Sequence, residues 1–265
     1  MSDLAAYLDR PMDPPQLDVL AAIERGPIDP ADALPREDVE RLADPTPLAA
    51  ETGWCTLPDG VAYVAVRTAM PGVTGAMVDW WFDWHPADDL RYRIWHPRAH
   101  FANSVERPRT AGAKAHWGTV HHPVEDVGVG RVRARIEFAP PSELGMAGDH
   151  LGDPAVATIV CGWAGDDTRR VRHTPMAHVF LDEPGGLILR SRFWLGAALR
   201  PYLPGPLAAP LAAAINTGFV RRRTLPDGLP RALARHCAEE YANLGGLLPE
   251  LYERYGPTAA GSAPP

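Results

Sequence analysis

The sequence predicts an α+β fold in which a curved antiparallel sheet is crossed by one long C-terminal helix. Three observations carry that prediction. Strand-like segments with period-two alternation recur between about residues 53 and 195. A strongly amphipathic helix follows them near the C-terminus. No internal repeat, Gly-rich phosphate loop or GxSxG elbow interrupts the pattern, which removes kinases, Rossmann enzymes and α/β-hydrolases.

Residues 1–50 form an N-terminal helical region rich in Pro and Asp, with two short helical patterns. Pro14 to Arg25 has Asp13 as its cap and Gly26 as its stop, and Pro35 to Ala43 follows. Helices this short need a surface to pack on, either the main domain or a second copy in a homodimer.

The main domain spans residues 51–255. Gly53 to Arg67 reads as a hairpin around Pro58-Asp59-Gly60. Trp80, Trp81, Phe82 and Trp84 crowd one stretch and read as core or as the wall of an aromatic pocket. Leu90, Tyr92 and Ile94 alternate with Arg91, Arg93 and Trp95, which predicts a strand ending near Pro97. His96 and His100 then fall at a strand end or loop. His121-His122-Pro123-Val124-Glu125-Asp126 sits at the entrance to a strand over Gly130 to Phe138. Ala155–Trp163, His173–Leu181 and Gly186–Leu195 complete the sheet, and Ala208 to Arg222 is helical.

The last helix starts at Pro230, where a missing N–H costs nothing, and Gly245-Gly246 is its expected stop. Residues 256–265 are small residues and prolines, a composition expected to be disordered. At about 100° per residue, Leu233, His236, Cys237, Glu240, Tyr241 and Leu244 share one stripe, and Glu239 points to solvent. A carboxylate turned into an apolar layer needs a cation, a hydrogen-bond partner or a metal. His236 and Glu240, one turn apart, can grip one ion; a buried Glu–Arg pair is the competing reading.

With 265 residues and a net charge of -7, the chain lacks the basic face of a nucleic-acid protein. Arg221-Arg222-Arg223 is its single tight basic run and reads as a solvated helix end. Cys55, Cys161 and Cys237 are widely separated, which predicts neither a thiolate zinc site nor a disulfide framework. No signal-peptide pattern opens the chain, and its most apolar run, Pro201 to Val220, is broken by prolines. A cytoplasmic protein with no membrane partner is the expectation.

Trp80-Trp-Phe-Asp-Trp-His85, Tyr92-Arg-Ile-Trp-His-Pro-Arg-Ala-His-Phe-Ala-Asn103, a Glu before a glycine-containing strand, Arg190-Ser-Arg-Phe-Trp-Leu-Gly196 and the helical His236/Glu240 occur in one order. Together they resemble the 2,4-diacetylphloroglucinol hydrolase family, which includes phloretin hydrolase. The resemblance runs from Trp80 to Tyr241. It implies a helix-grip, START-like fold and a Zn²⁺ ion held by two His and two Glu, here His100, His236, Glu240 and Glu125. Glu137 competes for the fourth place, but it shares a strand face with Arg131, Arg133 and Arg135, where an exposed ion pair is the natural outcome.

The resemblance further implies that Tyr92, Asn103 and His178 contact a small aromatic substrate, with Trp81 and Phe193 in its pocket. Phe193 stands where some relatives carry a tyrosine. The implied reaction is metal-dependent hydrolysis of the C–C bond between an aromatic ring and an acyl group in acylated polyhydroxyphenols. Two rival readings keep the fold: a non-catalytic carrier of an aromatic or apolar ligand, and a polyketide cyclase or decarboxylase.

Overall fold

The computed structural model describes residues 3–107, 113–203 and 205–257. Its α+β architecture is the expected one. The strands are β1 (Gly53–Thr56), β2 (Ala62–Pro71), β3 (His100–Glu106), β4 (Val120–Asp126), β5 (Arg131–Ala139), β6 (Val156–Asp166), β7 (Val171–Glu183), β8 (Gly186–Leu195) and the short β9 (Arg200–Pro201). The helices are α1 (Leu17–Glu24), α2 (Gly75–Trp84), α3 (Asp89–Trp95), α4 (Gly205–Ile215), α5 (Gly218–Thr224) and α6 (Leu229–Tyr255). One antiparallel sheet runs in the order β1-β2-β8-β7-β6-β5-β4-β3, with β9 on β7.

Both faces of the sheet's β2–β8–β7 part are covered, and strand alternation divides the two layers. Ala62, Val64, Val66, Phe180, Leu189 and Phe193 pack inward with Cys237, Tyr241 and Leu244 of α6. Tyr63, Ala65, Val179 and Trp194 face the other way, against Leu34, Val39 and Leu42 of the N-terminal region. That region therefore finds its packing surface on the chain's own sheet. No helix among the described residues is long and apolar enough to cross a membrane.

The structure departs from the sequence reading in several of its elements. Residues 89–95 form helix α3, not a strand. Asp88 caps it by accepting from the Leu90 N–H at 2.7 Å, a start signal that outweighs alternation over so short a stretch. His96 is consequently a helix C-cap and His100 opens β3. The segment around His121 and Glu125 is itself strand β4.

Helix α6 passes straight through Gly245-Gly246. Gly245 packs on Met70, and a methyl at Gly246 would run into the Asp13 carboxylate, so these glycines permit close approach of neighbouring chain. Burial of Leu244, Leu247, Leu248 and Leu251 holds the helix beyond them. Asp13 does not cap α1, which starts after Gln16; its N–H instead donates to Asn243 Oδ1 at 3.1 Å. The helical stretch from Ala208 divides into α4 and α5, where Thr217 caps α5 through the Val220 N–H. Of the expected disordered tail, residues 258–265 lie outside the described residues.

Candidate active site

Helix α6, helix α3 and the inner face of the sheet enclose a cavity of about 890 Å³. Two hydrogen-bond sets fix α6 against α3. Asn243 Nδ2 donates to the carbonyls of Ile94 and Trp95 at 3.2 and 2.8 Å, and the Trp95 indole N–H donates to the Glu240 carbonyl at 3.0 Å. His236 and Glu240 are thereby carried to the start of β3.

There His100, His236 and Glu240 converge, each offering one ligand atom within 4.8 Å of the others. Glu240 Oε2 stands 3.6 Å from His100 Nε2 and 3.7 Å from His236 Nε2. Register brings in a further carboxylate, because His100 and Glu125 are directly paired across β3 and β4 and share a face. Glu125 Oε2 lies 3.9 Å from His100 Nε2 and accepts a hydrogen bond from the Tyr92 hydroxyl at 2.7 Å. The Tyr92 ring is stacked parallel to His100 with centroids 4.1 Å apart.

Burial pushes both Glu240 and Glu125 above the usual carboxylate range, and their mutual repulsion raises Glu240 further. Among the described residues no Arg or Lys approaches either carboxylate within 4.0 Å, which removes the buried Glu–Arg reading. Burial also holds His236 down at about 3 and His100 well below its ordinary value, so both imidazoles are neutral at neutral pH. His100 Nδ1 sits 3.1 Å from the Tyr92 carbonyl, which assigns the proton to Nδ1 and leaves the Nε2 lone pair free. That buried Nε2 has no hydrogen-bond partner among the described residues. Ligand atoms around a tetrahedral zinc stand about 3.3 Å apart for bonds of ~2.0–2.1 Å. Neutral imidazoles, uncompensated carboxylates and the spacings above suit a divalent cation.

Asn103, His178 and Phe193 line the same cavity, as do Tyr92 and Glu125. His178 Nδ1 is 2.8 Å from Ser191 Oγ, and burial holds its imidazole at about 3. A neutral imidazole of this kind hydrogen-bonds a ligand but does not act as the readily protonated group that a free histidine would be. Trp81 is a correction: fully buried, it stacks on His85 and packs edge-on to Trp95 within the core, while Phe82 and Trp95 form that part of the wall. Glu137 is outside the cluster, bonded to Arg135 at 3.0 Å and paired with Arg172 at 3.5 Å.

Glu239 does not face free solvent. It bridges Arg235 at 2.9 Å and stands 3.4 Å from His96 Nε2, whose ring lies parallel to His236. Sequence reasoning also missed His85 and His121, which line the cavity near Asn103. His121 was visible only as one half of a His-His pair. His85 gave no separate signal because it closes α2 with Nδ1 on the Trp81 carbonyl at 2.8 Å.

Residues 34–253 match the family model described as the DAPG hydrolase PhiG domain. The chain is 31% identical over 254 residues to phloretin hydrolase of Eubacterium ramulus, covering 93% of this chain and 88% of that protein. It is 32% identical over 255 residues to 2,4-diacetylphloroglucinol hydrolase of a Pseudomonas species, covering 92% and 85% respectively. Among solved structures, a START-superfamily protein of Mycobacterium smegmatis aligns with a TM-score of 0.39 at 11% identity, over 72% of this chain and 98% of that one.

Proposed function

Because this chain belongs to the DAPG hydrolase family, we propose that it is a zinc-dependent hydrolase cleaving the C–C bond between an aromatic ring and an acyl group in acylated polyhydroxyphenols. The observation that carries this reading is the convergence of His100, His236 and Glu240 beside Glu125, where neither buried carboxylate has, among the described residues, an Arg or Lys within 4.0 Å. Glu125, opposite His100 in the β3–β4 register, is the fourth ligand. A bound divalent ion would supply Lewis-acid stabilisation of the charge that builds on the acyl oxygen.

The chain's own residues do the rest. Glu240 and Glu125 provide the negative charge that holds a divalent cation between two neutral imidazoles. Tyr92 keeps its proton, since burial beside Glu125 raises its phenol well above the ordinary value, and it presents that hydroxyl at the cavity edge of the cluster. Asn103, whose buried Oδ1 has no partner among the described residues, and neutral His178 orient ring hydroxyls. Apolar walls at Trp95 and Phe193 exclude bulk water from the ring. In the reaction a water oxygen bonds to the acyl carbon, the ring–acyl bond breaks, and its electron pair stays on the ring carbon, which takes a proton. The products are one carboxylic acid and the deacylated phenol.

Metal analysis combined with turnover of diacetylphloroglucinol and phloretin tests the reading. The expected result is one zinc per chain and stoichiometric release of free acid. His236→Ala should abolish both, whereas His96→Ala should retain the zinc. Folded wild-type protein that neither binds zinc nor releases acid would refute it.

A further inference from the structure

Helix α4 shows water an apolar face. From Gly205 to Ile215 it contains no polar or charged side chain, and a helix that is apolar on every side is ordinarily buried in a core or a membrane. Among its described side chains only Ala208 is buried. Leu207 and Leu211, one turn apart, are 62% and 43% exposed; Leu203, just before the helix, is 45% exposed and Phe219 in α5 is 66% exposed. Only two other large apolar side chains among the described residues are exposed, Leu17 and Val129. The charge around this patch has one sign. Residues 200–225 hold four arginines and no Asp, Glu or Lys, a charge of +4 in a chain of -7, so the rest of the molecule carries -11. Arg221 pairs with Asp59 at 3.1 Å, whereas Arg200, Arg222 and Arg223 are exposed with no carboxylate within 4.0 Å among the described residues. Strand β9 pairs with β7 at Pro201 and Val171, which brings the Arg169–Arg170 turn beside the start of α4. Arg170 holds a left-handed φ of 52°, where glycine is the default residue, so its guanidinium is kept there at a conformational cost. Leu203, Leu211, Arg170 and Arg223 also line the cavity, so this patch is the cavity's mouth.

We propose that α4, α5 and the flanking arginines dock this protein on the surface of an anionic lipid bilayer, with the cavity mouth facing the membrane. The inference is independent of the hydrolase reading. A short apolar helix face inserts among the headgroups, where its side chains leave water, and the arginines around it meet lipid phosphates. A second copy of the chain fits this face poorly. In a two-fold contact the patch meets itself, and the stretch holds no acidic residue to answer its own +4. The expectation of no membrane partner rested on the lack of a spanning segment, which docking at the surface does not need. An apolar ligand would then enter the cavity from the bilayer without crossing bulk water.

The test is co-sedimentation of the full chain with vesicles of phosphatidylcholine alone and of phosphatidylcholine mixed with phosphatidylglycerol, at low and at high salt. The chain should bind the mixed vesicles at low salt, and partitioning should fall at least ~tenfold when either the anionic lipid is omitted or the salt is raised. Arg200→Gln combined with Arg222→Gln should lower the partition coefficient for mixed vesicles by roughly 10–30-fold, about fivefold for each arginine. Leu207→Gln combined with Phe219→Gln should lower it at least ~tenfold through lost apolar burial. All four positions are exposed and none lines the cavity, so the thermal midpoints of both variants should match that of the wild type. The two pairs are separate, and if one fails to fold the other decides. Absence of binding to mixed vesicles at low salt, binding that a folded variant pair leaves unchanged, or a stable dimer in sedimentation that Leu207→Gln abolishes would each overturn the proposal.

Discussion

Glu240→Gln should shift stability in opposite directions in the metal-free and metal-loaded protein. In the metal-free chain Glu240 has a side chain only 12% exposed, with neutral imidazoles 3.6 and 3.7 Å away and, among the described residues, no Arg or Lys within 4.0 Å. A buried polar group left without a partner costs ~1–3 kcal/mol, and more when charged. Glutamine keeps the shape and removes the charge but still needs partners, so the net relief is about 1 kcal/mol, or ~2–4 °C in Tm for a chain of this size. With zinc at ~100 times its Kd the wild type should gain about 2.7 kcal/mol, which corresponds to roughly 5–10 °C. The variant should show almost none of that gain. Thermal unfolding at pH 8, with chelator and then with a zinc buffer, reads both effects. A variant less stable than wild type in chelator, or one retaining the full zinc-dependent rise, would refute the ligand assignment.

Two further predictions concern the scaffold. Glu51→Ala should destabilise the chain by ~3–5 kcal/mol, the cost of removing one partner from a buried ion pair. Glu51 bonds Arg190 at 2.6 Å and stands 3.5 Å from Arg192, both buried; an unchanged denaturant midpoint would show that backbone carbonyls satisfy the two guanidiniums alone. Acidification should also destabilise the chain. Burial holds His85 at about 3, His116 at about 4 and His178 at about 3, against 6.5 when unfolded. The unfolded state therefore takes up these protons first, and stability present above pH 6.5 is lost as the pH falls toward the folded values. At pH 5.5 each contributes a loss of about 1.4 kcal/mol. The raised carboxylates act with the opposite sign, so the reading is differential: in chelator, His116→Asn should reduce the Tm drop between pH 7.5 and 5.5, and an equal drop in wild type and variant would exclude this origin.

What the sequence revealed depended on the range over which its signals act. The alternation of β5 and β8 and the 3.6-residue stripe of α6 are local and long enough to read, so the sheet, the helix and the pairing of His236 with Glu240 were legible without coordinates. Residues 89–95 were too few for alternation to outweigh the Asp88 cap. The glycines at 245 and 246 looked like a stop because the Met70 and Asp13 neighbours that require them come from distant chain. The place of Glu125 depended on strand register, which no periodicity encodes, and the order of motifs in the chain pointed to it instead. Trp81 was misjudged because a tryptophan in an aromatic run is equally suited to core or cavity until the helix carrying it is oriented.

The segment Arg190–Leu195 shows why the motif order is specific when each motif is short. Alternation along β8 sends Ser191, Phe193 and Leu195 to the cavity side and Arg190, Arg192 and Trp194 to the outer face. On the outer face the guanidiniums bond the carbonyls of Thr46 and Ala50, and the Trp194 indole N–H donates to the Leu34 carbonyl at 2.9 Å, which holds the N-terminal region against the sheet. On the inner face Ser191 holds His178 at the cavity wall. A one-residue slip of this strand would exchange the two sets, burying two guanidiniums beside the cavity and removing the partner of His178. Support of the N-terminal region and placement of a proposed substrate contact are thus properties of a single register, and a substitution that disturbs one face should be felt on the other.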